Sequence, residues 1–144
     1  MNFFVDAEFD VPTDKLISLA IVSEDGNREF YEVIDYTGIQ DEWVMKNVIP
    51  ILQKEPVSFE EFQNRLAKFV QQFAGMHIIV NHPNDVLYFN RALLQEKGKW
   101  IMIQPLTFEI DDDLSGKGSK LLHNALHDSR ATRIDWLKKN GFQP

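Results

Sequence analysis

Over residues 3–34 the apolar positions recur with the short period of extended chain. Phe3 to Phe9 opens the series, Leu16 to Val22 (LISLAIV) follows a turn containing Pro12, and Glu29 to Ile34 (EFYEVI) alternates again after the hairpin signal Asp25-Gly26. Three such segments with short connections predict an antiparallel meander. The period then lengthens. Within Glu42 to Leu52, Trp43, Val44, Val48, Ile49, Ile51 and Leu52 fall at helical spacings, ending ahead of Pro56. Ser58-Phe59-Glu60-Glu61 is a capping box, in which the serine oxygen accepts from the amide three residues on. The helix it starts gathers Phe59, Phe62, Leu66, Phe69, Val70 and Phe73 on one stripe, and Gly75 stops it.

The second half alternates the two periods. Met76 to Val80 (MHIIV) is the short, nearly continuous apolar run expected of a strand covered on both faces. Asn81-His82-Pro83-Asn84 reads as a turn into a helix from about Asp85 to Lys97, with Gly98 as its stop. Ile101-Met102-Ile103 predicts a further strand, Asp111 to Gly118 a loop, and Lys120 to Asn140 a long final helix closed by Gly141. A meander followed by alternating helices and strands predicts an α/β fold with one mixed sheet and helices packed on it.

Composition narrows this picture. A chain of 144 residues, 44% of them hydrophobic, can bury a self-sufficient core as one domain. With no cysteine, disulfides, thiolate nucleophiles and cysteine-ligated zinc are excluded. No apolar run approaches the ~20 residues of a membrane helix, and Met1 to Asp6 lacks the basic and apolar regions of a secretory signal. A cytoplasmic protein without a membrane partner is expected. Fifteen Lys and Arg against 22 Asp and Glu give a net charge of −7, which repels phosphate unless several carboxylates are metal ligands.

Three clusters carry chemistry. In Asp6-Ala7-Glu8 the strand period puts both carboxylates on one face, where they repel each other and resist desolvation. A divalent cation would compensate them, as would a solvated sheet edge. Asp85 stands at the start of a helix, where an acid also suits the helix dipole. In His123-Asn124-Ala125-Leu126-His127-Asp128, an imidazole beside metal-bound water would suit a general base, and Asp128 could coordinate the same metal. His123 and His127 also have the spacing of a zinc pair, but Asn124 stands where the H-E-x-x-H motif needs glutamate. Gly116-Lys117-Gly118-Ser119 lacks the earlier glycine of a phosphate loop, and Asp111-Asp112-Asp113 reads as a solvated loop.

Together, D-x-E on the first strand, Asn81 and Asp85 as N-x3-D, and H-N-A-L-H-D in the last helix resemble the DEDDh 3′–5′ exonucleases, which include RNase T, oligoribonuclease and the proofreading subunit of bacterial DNA polymerase III. The D-x-E-F opening, Trp43-Val44 to Pro50 and the arginines of the last helix look most like the small mycobacterial-type 3′–5′ exoribonuclease family. The resemblance implies an RNase H-like fold, a mixed five-stranded sheet flanked by helices. It also implies two divalent cations, Mg2+ or Mn2+, on Asp6, Glu8, Asp85 and Asp128, with His123 as general base. The expected partner is a single-stranded 3′ end, RNA favoured over DNA. Phe9 is the candidate for stacking a base and Asn81 for touching substrate. A homodimer is compatible, since RNase T acts as one. The alternatives are a DNA exonuclease of the same chemistry, of phage or mobile-element type, and a non-catalytic acidic interaction domain.

Overall fold

The computed structural model describes all 144 residues. Strand β1 (Asn2–Asp10) is followed by β2 (Lys15–Ser23), β3 (Glu29–Val33), helix α1 (Glu42–Asn47), α2 (Phe59–Val70), β4 (Met76–Val80), α3 (Pro83–Leu93), β5 (Leu106–Ile110) and α4 (Ala125–Lys139). Single 3-10 turns lie at Ile49–Ile51 and Glu96–Gly98. The five strands form one sheet in the order β3-β2-β1-β4-β5. The meander β1-β2-β3 is antiparallel, while β4 runs parallel to both β1 and β5. The expected mixed sheet with flanking helices is therefore present.

Alternation along β1 divides the core. Phe3, Val5 and Ala7 pack with Phe62, Leu66 and Phe69 of α2 and Phe89 and Ala92 of α3. Phe4 points the other way, to Ile79, Leu114 and Trp136 of α4. Asp6 and Glu8 have the parity of Phe4, so the pleat turns them toward the α4 face. The 3-10 turn after α1 lies on that face too, since Asn124 at the start of α4 donates to Ile51 O at 3.0 Å.

Five boundaries differ from expectation. The fifth strand is not Ile101-Met102-Ile103 but Leu106–Ile110. Ile101 and Ile103 are buried and Met102 is exposed, so the alternation is real. That segment nevertheless covers the core edge without joining the sheet, its Ile101 N–H going to Leu93 O at 2.9 Å. The last helix begins at Ala125 rather than Lys120, because Asn124 caps it through bonds from the Leu126 and His127 amides. The helix predicted for 42–52 breaks at Val48 ahead of Pro50. The one predicted to reach Lys97 ends at Leu93. Ser58 caps α2 as expected, with the Glu61 amide 3.1 Å from its hydroxyl. Gly75, by contrast, does not end that helix. It sits at φ +109°, where an added Cβ would stand 2.7 Å from Pro105 Cδ, so it lets the chain ahead of β5 pass close.

β1 outruns its neighbour. It has nine residues but pairs with β4 only through Asn2, Phe3 and Phe4. Beyond Phe4 the two strands part, and the first turn of α3 fills the gap.

Candidate metal centre

The parting of β1 and β4 exposes the strand edge near Ala7. Asp85, in the first turn of α3, covers it by accepting the Ala7 N–H on Oδ1 at 3.0 Å. This places Asp85, only 4% exposed, beside Asp6. The two line a cleft of about 280 Å³ whose other walls are Phe9, Asn81, His82 and Asn84. The open end between diverging parallel strands is where α/β sheets commonly receive ligands.

From the opposite side α4 delivers Asp128. Asp6, Glu8 and Asp128 each offer a carboxylate oxygen within 4.8 Å of the others, so residues 120 positions apart share one point. Asp85 belongs to the cleft on the Asp6 side and not to that three-way group. Asp128 Oδ2 accepts the His123 N–H at 3.1 Å. Asp128 Oδ1 and Asp6 Oδ2 are buried with no hydrogen-bond partner. Orphaned buried oxygens on neighbouring acids cost several kcal/mol if charged and uncompensated, on the order of a buried ion's desolvation penalty.

Electrostatics carry the same message. Burial, then repulsion from Asp85, Glu8 and Asp128, pushes the Asp6 carboxyl well above the usual range. Burial and the Asp128 and Asp85 charges raise Glu8 to about 8. Burial lifts Asp85 to about 7 despite its bond from Ala7. Asp128 is raised by burial, held back by Ser119 and by the His123 amide. A set of hard oxygen donors with disfavoured negative charge fits a divalent cation, whose charge inverts that balance.

His123 precedes the helix cap at φ +75°, and its ring meets Trp43 edge-on with centroids 4.8 Å apart. Because it lies outside α4, it does not share a helical face with His127, although the charges of both bear on Asp128. The i, i+4 helical spacing that suggested a zinc pair therefore does not apply. Phe9 is half-buried, stacked on Tyr88 at 4.2 Å and 12°, and lines the cleft, so it packs against the core while also facing the site. Asn81 is half-buried on the cleft wall. The chain matches no family model, no curated protein and no solved structure.

Three supporting residues escaped the sequence reading. Asn124 caps α4 with its oxygen while its amide reaches Ile51 O at 3.0 Å, locking the His123–Asp128 segment to the chain after α1. Its signal is the asparagine ahead of a helical run. Trp43 packs on His123 across 80 residues, which no local pattern announces. His82 caps α3, its Nδ1 accepting the Asn84 N–H at 3.0 Å. The Asp111–Asp113 loop is solvated at Asp112 and Asp113 as expected, while Asp111 Oδ2 accepts from Lys139 Nζ at 2.7 Å. No helix is long and apolar enough to cross a membrane.

Proposed function

We propose that this chain is a metal-dependent 3′–5′ exonuclease acting on single-stranded 3′ ends, RNA in preference to DNA, with an RNase H-like fold. The observation that carries the reading is the convergence of Asp6, Glu8 and Asp128 with two buried, unpartnered carboxylate oxygens. The five-stranded mixed sheet and the placing of Asp85 at the cleft support it. The preference for RNA rests on the resemblance of the D-x-E-F and H-N-A-L-H-D segments.

Asp6, Glu8 and Asp128 would hold the cations, with Asp85 on the cleft side of Asp6. Mg2+ or Mn2+, when bound, supplies positive charge to the attacking and leaving oxygens of a phosphodiester. Four carboxylates are neutralised by two divalent ions, so a site that otherwise repels the substrate admits it. His123, beside Asp128, accepts the proton of the attacking water. Phe9 offers an aromatic edge to the terminal base and Asn81 an amide to its sugar or phosphate.

A 5′-labelled oligonucleotide tests this. With Mg2+ or Mn2+ it should shorten stepwise from the other end, and chelation should stop it. His123→Ala should lose roughly 10²–10⁴ in rate while keeping metal-induced thermal stabilisation. Asp6→Asn should lose both. Parental cleavage by Asp6→Asn would overturn the assignment of Asp6 to the site, whereas no thermal response to metal and no shortening would leave the acidic interaction domain as the better reading. Matched RNA and DNA oligomers separate the exoribonuclease from its DNA counterpart.

A further inference from the structure

A second cavity, of about 270 Å³, lies behind the cleft. The Phe9–Tyr88 stack divides them: Phe9 lines the cleft, Tyr88 lines the cavity, and their rings are nearly parallel. The cavity floor is apolar, built from Leu16 and Ile34, which are 6% and 3% exposed. At its mouth stands Phe59. The helical stripe assigned Phe59 to the core, but it is 42% exposed, while Phe62, one turn on, is fully buried. Phe59 stacks on Phe62 with centroids 5.8 Å apart, which leaves the rest of its ring open to the cavity mouth.

The polar groups around this cavity oppose the charge of the whole molecule. Lys15 and Arg91 flank it against a single carboxylate, Asp14. Arg91 pairs with Asp14 and lies 5.3 Å from the centre of the Tyr88 ring. Tyr88 Oη also donates to Asp14 at 2.8 Å, so the carboxylate is shared and the guanidinium retains donors. Lys15 spends one donor on Thr37 O at 2.8 Å and keeps two. A half-exposed phenyl ring, the edge of Tyr88, an apolar floor and two cations at the rim suit a planar heterocycle that carries an anion.

We infer that this cavity is a nucleotide subsite, taking a nucleobase on the open side of Phe59 above Leu16 and Ile34, with the Tyr88 edge as a wall and its phosphate on Lys15 and Arg91. The inference rests on the exonuclease reading for what delivers the nucleotide. Two sources share this chemistry: a neighbouring nucleotide of the strand whose end occupies the cleft, or a free mononucleotide of the kind the reaction releases.

The test uses the isotopically labelled full chain in chelator, where no cleavage occurs. Titration with adenosine 5′-monophosphate should shift the amides of Leu16, Ile34 and Arg91. Phe59→Ala and Arg91→Gln should each weaken that binding roughly tenfold, the order of one lost stacking or ionic contact. Both residues are partly exposed, so folding should survive, which thermal unfolding checks. Kinetics with metal then separate the sources. If the strand fills the cavity, Phe59→Ala raises KM for a pentanucleotide and leaves a dinucleotide unchanged. If the free nucleotide fills it, KM holds for both lengths and inhibition by the mononucleotide is lost. Shifts confined to Asn81–Asp85, or equal binding by the parent and both variants, would overturn the inference. Shifts in the cavity of a protein that cleaves nothing would instead overturn the exonuclease reading and leave the nucleotide site standing.

Discussion

Asp6, Glu8 and Asp10 alternate along one strand and have opposite fates. Asp10 is fully buried, and burial acts to raise its pKa. Bonds from the Thr13 hydroxyl and from the Asp41 and Gln40 amides outweigh that and hold it below the ordinary range. Asp10 is thus consumed in fixing the start of α1, whereas Asp6 keeps an oxygen unpartnered. Asp10→Ala should therefore cost ~1–3 kcal/mol in urea unfolding, the expense of stranding two amides. Asp6→Asn should do the reverse in metal-free protein, raising stability by ~1 kcal/mol or more while abolishing stabilisation by metal. The pH dependence follows from the same shifts. Glu8 titrates near 8 and Asp85 near 7 in the fold, against about 4 when unfolded. Their penalty is absent below pH ~4, grows as pH rises, and is complete above about 8. Metal-free protein should therefore lose stability as pH rises from about 4 to 8, and saturating Mg2+ should flatten the slope. The D-x-E spacing was legible in the sequence. That Asp10 differs was not, because two of its partners come from thirty residues away.

At the scale of elements, the site exists because three pieces end near one another. β1 extends past β4, α3 starts in the gap, and α4 starts across the sheet. The strand and helix periods announced all three, and the Ser58 box placed α2 to the residue. What failed was the edge of the sheet. Ile101 and Ile103 alternate like a strand because they cover the core, yet hydrogen bonding to β4 falls to Leu106–Ile110. Alternation reports burial and does not say which backbone groups pair. The start of α4 slipped by five residues for a related reason: Lys120 to His123 fit a helix until the Asn124 cap is recognised. Asn124→Ala removes that cap and the bond to Ile51. It should lower stability by ~0.5–2 kcal/mol for the cap alone. It should also depress cleavage more than global unfolding accounts for, since His123 and Asp128 both hang on this segment. Comparing rate and unfolding midpoint in one preparation checks it.

For the molecule as a whole, the net charge of −7 changes meaning with metal. Most nucleic-acid binding weakens as salt displaces counterions. Here the first Mg2+ added should strengthen binding of a single-stranded oligomer, because it fills the acidic site before it screens anything. Fluorescence anisotropy with His123→Ala, which should hold metal but cleave slowly, would show a rise before the usual fall. A monotonic decrease would mean that the carboxylates do not gather cations ahead of the strand. Outside the site, α4 is tied down by Arg130 to Glu29 at 2.6 Å, by Arg133 to Glu24 O at 2.6 Å and by Lys139 to Asp111. These exposed pairs are worth little individually. Their role is to seat the element that carries Asp128.

The stitch between Asp85 and Ala7 also makes the chain its own gauge. β1 is the middle strand, so most of its amides should exchange with deuterium only when the whole protein opens. The Ala7 amide is different, since a side chain from another element shields it. Asp85→Ala should let that one proton exchange quickly while the Val5 amide stays slow. Hydrogen exchange at a single backbone position would then read whether the cleft wall is closed, with no substrate in the tube.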